Sequence, residues 1–320
     1  MKLRYGINLA LFLIISSIFY FSCAENDVME DLVIGKDQEY LSLSLSDRIL
    51  VDAGAVWIDK LCSRDFEGRK SGTEGNRLAF EYICHELEEM GYVPECQIFN
   101  TEKGTTIRNI IVTIPGKIDS TVIVGAHFDG PIQSTGSDHY PAAEDNGSGA
   151  VALMLLLKSL KVDSIEFERT LICGLWDSEE VLDGKAFRGS TYYAKHMSEQ
   201  SISNTLFYIN FDCVGHDHDY DHNGKSDIYL EYRGSDLVEK IAYLTSQTGR
   251  FDYNIAERET FTSDYTFFYR IGIPFLYYHD HNNYICSHPN HSTKDTQDAI
   301  SIERLVRITH CVRDNLYFLL

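Results

Sequence analysis

The stretch GAHFDGPIQSTGSDHYPAAEDNGSG, residues 125–149, reads as strand end, long loop and helix start in one piece. The apolar run Thr121 to Ala126 leads into His127-Phe128-Asp129, and Glu144-Asp145-Asn146-Gly147-Ser148-Gly149 leads into a second apolar run, Val151 to Leu160. A histidine and several carboxylates at the carboxyl end of a strand sit where open α/β sheets bind ligands. The stretch is therefore either a metal or acid/base site or a polar surface loop.

Working outward, Asp47 to Leu61 and Asn76 to Met90 carry apolar residues at helical spacing, with Gly91 as the stop of the second. The Gly-rich turn Phe66 to Gly75 between them lacks the GK[ST] of a phosphate loop. Runs rich in Ile, Val and Thr predict strands at Glu95–Phe99, Arg108–Ile114, Thr121–Ala126, Thr170–Trp176, Leu206–Phe211 and Pro274–Tyr278. Helices are expected at Val151–Leu160, Thr191–Met197, Ser235–Ser246 and Ile300–Leu320. This alternation predicts a single α/β domain with a mostly parallel mixed sheet flanked by helices on both faces.

The 320 residues include 48 acidic and 28 basic ones, a formal charge of −20. Nucleic acid and anionic membrane surfaces are polyanions that such a chain repels, which argues against both as partners. Lys2 and Arg4, the apolar run Ile7 to Phe21 and then Ser22-Cys23-Ala24 make an export signal too short for a confident membrane span. Cys23 in that place resembles the lipobox of bacterial lipoproteins, although Tyr20-Phe21 departs from its usual small aliphatic pair. Residues 1–23 are accordingly expected to be a lipoprotein-type signal peptide, 24–46 an acidic tether and 47–320 the catalytic domain. The protein would then be exported and lipid-anchored in the cell envelope, periplasmic or at the cell surface, touching membrane through the anchor only. Seven further cysteines form no CxxC and cannot all pair; Cys84 and Cys173, in apolar periodic segments, read as core thiols.

Four strand ends deliver acidic or imidazole groups. The first carries His127 and Asp129, with Asp145 on the following loop; the second, LICGLWDSEE, carries Asp177, Glu179 and Glu180. The third, FYINFDCVG, carries Asp212; the last, PFLYYHDHNNYICSHPNHSTKD, carries His279, His281, His288, His291 and Asp295. Any one of these alone is an ordinary solvated loop charge. Adjacent glutamates let one carboxylate ligate a metal while its neighbour takes a proton. Amide hydrolysis needs an activated water and a polarised carbonyl, which two metal ions about 3.5–4 Å apart supply. Mixed His and carboxylate ligation suits zinc better than magnesium or calcium.

The ordered segments GAHFD, AEDNGSG, WDSEE, RGSTYYA, NFDCVG, SDYTFFYRIGIP and HSTKDT resemble the motifs of the zinc-dependent aminopeptidase family, and the match runs from about Asp47 to the carboxyl end. That family of co-catalytic di-zinc metallopeptidases also includes glutamate carboxypeptidase-like enzymes and glutaminyl cyclases. The resemblance implies that His127 and Asp212 hold one zinc, Glu180 and His291 the other, and that Asp145 bridges the two. It makes Glu179 the general base and Asp129 the residue that orients the His127 imidazole. His291 is preferred to His288 because Asp295 and Thr296 follow it at the family's spacing. Where many relatives place an oxyanion-stabilising tyrosine before the last histidine, this chain has Asn290, which leaves Tyr284 or Tyr278 as candidates for that role.

A second cation candidate is the loop from Asp219 to Asp227. Asp219, Asp221, Asn223 and Asp227 supply oxygens in a calcium-loop pattern with Gly224 at the sixth position, but Leu230 stands at the twelfth and Glu231 comes one late. The other reading is a hydrated acidic turn; His216, His218 and His222, which interleave the acids, are expected to face solvent rather than to bind zinc. The expected function is a zinc metallo-aminopeptidase acting on peptides with free amino termini. The rivals are a glutaminyl cyclase with a single zinc and a non-catalytic metal-binding ectodomain.

Overall fold

The computed structural model describes residues 40–131, 140–163, 166–280 and 290–319. The expected signal segment with Cys23, the tether up to residue 39, and the candidates His281, Tyr284 and His288 lie outside the described residues. Chain contacts divide the molecule into two units, 1–48 and 49–320. In the first, described from residue 40, the Leu43 N–H donates to Tyr40 O (3.1 Å) and the Arg48 N–H to Ser44 O (3.0 Å). No described helix is long and apolar enough to cross a membrane.

In chain order the elements are α1 (Leu45–Leu61), α2 (Glu74–Glu89), β1 (Glu95–Asn100), β2 (Thr106–Ile114), β3 (Ile118–His127), α3 (Gly149–Asp163) and β4 (Arg169–Trp176). There follow α4 (Arg188–Lys195), α5 (Glu199–Asn204), β5 (Thr205–Phe211), β6 (Asp227–Arg233), α6 (Asp236–Ser246), β7 (Asp252–Glu257), α7 (Tyr265–Arg270), β8 (Phe275–His279) and α8 (Ile302–Leu319). The spacing anticipated most of these to within a few residues. Helix α2 starts earlier than expected because Thr73 caps it, its hydroxyl accepting the Asn76 N–H at 3.3 Å. Strands β6 and β7 and helices α5 and α7 are additions.

The strands form one eight-stranded sheet in the order β1-β2-β4-β3-β5-β8-β6-β7. Its centre, β4-β3-β5-β8, is parallel, whereas β1-β2, β2-β4 and β8-β6 pair antiparallel. The parallel centre explains the uninterrupted apolar runs: Val122, Ile123, Val124 and Ala126 are all fully buried. Helix α3 is apolar all round because β3, β5 and α8 pack around it. Register places His127 beside Trp176 and Gly125 beside Asn210, so the central strands end level with one another. Gly125 is needed there, since a Cβ would stand 2.2 Å from the Tyr208 hydroxyl and 2.4 Å from Trp176 Nε1.

Two expectations from the sequence are corrected. Cys173 is buried as expected, but Cys84 is only half-buried, and its Sγ faces that of exposed Cys96 at 3.9 Å, because α2 lies beside the sheet edge. Tyr278 is buried with its hydroxyl turned to Asn315 of α8 (3.4 Å), so β-strand alternation presents Tyr277 to the site instead.

Arg69 is fully buried in the Gly-rich turn. Its guanidinium donates to Leu61 O (2.7 Å), Phe128 O (2.7 Å), Pro141 O (2.8 Å) and Ala142 O (2.6 Å), closing both ends of the long loop onto the end of α1. Arg69→Met strands those carbonyls, and by analogy with the loss of one partner from a buried charged network it should cost roughly 3–5 kcal/mol. Denaturant unfolding checks this; a loss under about 1 kcal/mol, the scale of one ordinary hydrogen bond, would show that the clamp is dispensable.

Candidate metal centre

The ends of β3, β4 and β5 meet the loop before α3 and the segment after β8. His127 closes β3, and its Nδ1 lies 3.2 Å from Asp129 O and 3.4 Å from Asp129 Oδ1. Acceptors on that side hold the proton on Nδ1 and leave the Nε2 lone pair for the centre. Nε2 stands 3.4 Å from Asp145 Oδ1, 3.5 Å from Asp212 Oδ1 and 3.9 Å from Glu179 Oε2. His291 Nε2 lies 3.0 Å from Asp145 Oδ2 and 2.8 Å from Glu180 Oε1. Asp145 therefore turns one oxygen to each histidine.

The structure thus brings together all seven residues singled out from the resemblance: His127, Asp129, Asp145, Glu179, Glu180, Asp212 and His291. Two groups of donors converge closely enough for a metal ion, His127-Asp145-Asp212 and Asp145-Glu180-His291, and they share Asp145. Zinc fits this donor set. His127 Nε2 and Glu180 Oε1 are buried and make no well-formed hydrogen bond, although opposite partners lie close, as expected of atoms arranged for a cation rather than for each other.

Surrounding bonds fix each group. The Asp129 carboxylate accepts the N–H of Glu179 (3.0 Å) and of Glu180 (3.2 Å), which sets the turn after β4. Asp295 accepts the N–H of Glu144 (2.7 Å) and Asp145 (3.1 Å). Asn146, joined to Asp145 by a cis peptide, accepts the Gly149 N–H (2.8 Å) and donates to Phe211 O (2.9 Å). A one-way donor series runs from Trp176 Nε1 to Tyr208 OH (3.0 Å), to Asn210 Oδ1 (2.9 Å), from Asn210 Nδ2 to Ser263 Oγ (2.9 Å) and from Ser263 to Asp212 Oδ2 (2.6 Å). Ser178, Cys213 and His291 hold left-handed φ values of 60°, 55° and 55°, so backbone strain is concentrated at the site.

Burial dominates the electrostatics. It pushes Glu179 well above the usual carboxylate range and Glu180 and Asp264 up to about 7. Burial opposes a charged His127, but the carboxylates of Glu179, Asp129, Asp145 and Asp212 outweigh it and raise the imidazole well above its normal value. The carboxylates of Asp145 and Glu180, accepting hydrogen bonds from the imidazole, raise His291 to about 11. Asp145, despite its own burial, is lowered by the two histidines.

Sequence reasoning passed over several residues here. Asp264 lies in the quoted SDYTFFYRIGIP segment without being singled out; Ser71, Asn76 and Ser263 are single polar residues whose roles exist only once distant strands meet. His279 was grouped with the strand-end imidazoles, yet it pairs with Glu231 (3.2 Å) on β6 instead of reaching the centre. His216 and His218 do not face solvent as expected: they are 3% and 29% exposed where only His222 is open. In the acidic loop, Asp219 accepts the N–H of Asn223 (3.0 Å) and Gly224 (2.8 Å), and Asp227 that of Tyr220 (2.7 Å). Those oxygens serve the loop's own backbone, as a hydrated acidic turn requires.

The cavity over the centre holds about 500 Å³ and is lined by Asp145, Glu179, Glu180 and His291 together with Val181, Phe187, Thr262 and Tyr277. Residues 109–316 match peptidase family M28. The chain is 27% identical over 166 residues to leupeptin-inactivating enzyme 1 of Streptomyces exfoliatus, covering 52% of this chain and 35% of that protein. It is 29% identical over 114 residues to a probable leucine aminopeptidase 2 of Arthroderma benhamiae, covering 36% and 21%. The chain thus spans well under half the length of these two relatives. Among solved structures, a zinc aminopeptidase from Bacillus subtilis superposes with a TM-score of 0.69 at 16% identity, covering 84% of this chain and 95% of that one. Porphyromonas gingivalis glutaminyl cyclase gives 0.68 at 19%, covering 84% and 98%.

Behind the centre, the Ser71 hydroxyl lies 2.7 Å from Asp177 Oδ1 and 3.2 Å from Asp129 Oδ2. One hydroxyl proton cannot serve two carboxylates. Burial, then the Asp129 charge, pushes Asp177 up to about 7, so below that pH it carries the second proton. Between about pH 4, where the unfolded Asp ionises, and about 7 the folded state binds a proton that the unfolded chain has released, so this group's contribution to stability falls as pH rises. Stability of Asp177→Asn measured from pH 4 to 8 should fall less steeply than that of the wild type, because Glu180 and Asp264 keep their share of the slope; parallel curves for variant and wild type would refute it.

Proposed function

The chain belongs to peptidase family M28, and on that premise we propose that it is a zinc-dependent aminopeptidase with two metal ions and Glu179 as general base. The observation that carries this reading is the position of Asp145 between two donor groups, one oxygen toward His127 and the other toward His291. His127 and Asp212 would hold one zinc, Glu180 and His291 the other. Zinc ions bound there would polarise a peptide carbonyl and acidify water.

The chain's own residues then have separable tasks. Glu179, beside the shared cluster but in neither donor group, takes a proton from the attacking water and returns it to the departing amine. Dications beside its buried carboxylate favour the charged, basic form that this requires. Asp129 holds the His127 imidazole with Nε2 turned inward and sets the backbone of both glutamates. Ser263 holds Asp212 in one orientation. A cavity of about 500 Å³ with an acidic wall suits a terminal residue bearing a free α-ammonium. The basic, apolar and small-residue succession ending at Cys23 supports export and lipid anchoring, so that peptides outside the cytoplasm would be the substrates.

Glutaminyl cyclase is the second reading, favoured by the near-equal fold similarity to the P. gingivalis enzyme. Against it stands Asn290, rather than a tryptophan, before His291.

Soluble protein from residue 24 onward, supplied with zinc, should release free amino acids from unblocked peptides and stop when chelated. Pyroglutamyl product without free amino acid from Gln-peptides would transfer the assignment to the cyclase; metal binding with no turnover would leave only a binding protein. Glu179→Gln should retain its metal and lose about 10³-fold or more in kcat, and wild-type turnover would remove Glu179 from the role. Ser263→Ala should weaken zinc binding roughly 10–100-fold, read by competition with a chelating dye.

A further inference from the structure

We propose that His216, His218 and Asp280 form a separate zinc site that pins the segment following β5 to the end of β8. None of the three belongs to the donor groups that share Asp145, so the inference does not depend on the peptidase reading.

Past the left-handed Cys213, His216 is bridged to Ile300 in antiparallel fashion, which makes the chain extended at that point. Residues two apart in an extended segment share a face, and the residue between them points the other way. Asp217 accordingly turns outward to Arg307 (2.9 Å), while both imidazoles turn in toward Asp280. Asp280 follows β8 directly, and its N–H donates to Cys213 O, which joins the two segments at backbone level (2.6 Å).

One nitrogen from each histidine and one Asp280 oxygen lie within 4.8 Å of one another. The His218 Nε2 to Asp280 Oδ2 distance is 3.4 Å. Zinc bound at about 2.0–2.1 Å in a tetrahedron separates its donors by about 3.3 Å, so that edge already has the right length and, with all three atoms within 4.8 Å of one another, the third donor needs to close by at most about 1.5 Å. The neighbours orient these groups as metal ligands are commonly oriented. The Tyr220 hydroxyl donates to Asp280 Oδ1 (3.2 Å), leaving Oδ2 for the cluster, and the Tyr220 ring stacks on His218 with centroids 5.2 Å apart. His216 and Asp280 are 3% and 4% exposed, whereas His218 at 29% leaves a way in from solvent and room for a fourth, water ligand. Two imidazoles and a carboxylate favour zinc over calcium or magnesium.

The full chain, equilibrated with zinc and desalted, should contain one more metal equivalent than His218→Gln, measured by elemental analysis against protein concentration. Combining Glu180→Ala with His218→Gln should remove that equivalent in addition to any lost through Glu180→Ala alone. Cobalt(II) substitution of Glu180→Ala should give more tetrahedral ligand-field absorption than the double variant, by the share of one ion. Tyr220→Phe, which keeps all three ligands, should bind this ion roughly 10–100-fold more weakly. Equal metal content in wild type and His218→Gln, with no cobalt absorption lost, would overturn the site and mean that His218 and Asp280 are only a hydrogen-bonded pair. Failure of the peptidase reading would show instead as absent turnover, with the one-equivalent difference intact.

Discussion

The Asp129 carboxylate is the point on which the centre depends. It is fully buried at the end of β3, and it accepts the N–H of Glu179 and Glu180 while lying against His127 Nδ1. A buried carboxylate is tolerable only when such donors surround it, and each hydrogen bond to a charged group is worth roughly 1.5–3 kcal/mol. Two neighbouring strands are therefore welded at their carboxyl ends by one side chain. The turn after β4 is then sewn back by the Phe187, Arg188 and Gly189 N–H groups, which donate to Glu179, Ser178 and Asp177 carbonyls at 2.9, 2.7 and 2.9 Å. Both glutamates thus point from a backbone that has little freedom left.

The same logic repeats around the centre with different chemistry. Asp145 is held through its own N–H by Asp295, and Asp212 through its outer oxygen by Ser263 at the end of the series from Trp176. In that series each member donates forward and accepts from behind, so the Trp176 N–H, which can only donate, fixes the direction of every bond after it. Gly125 makes the series possible by leaving space where Trp176 and Tyr208 meet. A residue with no side chain on β3 therefore bears on the orientation of a carboxylate at the end of β5.

What the sequence made legible was the part governed by local pattern. Apolar runs ending in charged residues mark parallel strands and their ligand-bearing ends, and α3 reads directly from its uniform apolarity. What stayed hidden depends on contacts far apart in the chain. Arg69 stood in a turn notable only for lacking a phosphate-loop ending, because its four carbonyl partners come from α1 and both ends of a long loop. Strand β7 is a half-exposed edge strand, and β6 follows an acidic loop that drew attention as a cation motif, so neither presented a clean alternation to recognise. His216 and His218 looked solvated because acids interleave them. In an extended segment that interleaving is what places the acids on one face and the imidazoles on the other.

The composition of the centre carries a thermodynamic consequence. Asp129, Asp145, Glu179, Glu180, Asp212 and Asp264 are all buried within one region, and the only cationic side chains the described residues bring into its ligand groups are His127 and His291. Two imidazolium ions cannot balance six carboxylates, so the fold holds protons there instead, as the upward displacement of Glu179, Glu180 and Asp264 records. A dication bound there would displace those protons and relieve the repulsion, which would couple metal binding to folding stability and to pH. The acidic site that recruits its metal is thus also a liability of the metal-free fold. The hydrogen bonds of Asp129, Asp295 and Ser263 have to be strong enough to keep the carboxylates in place before the metal arrives.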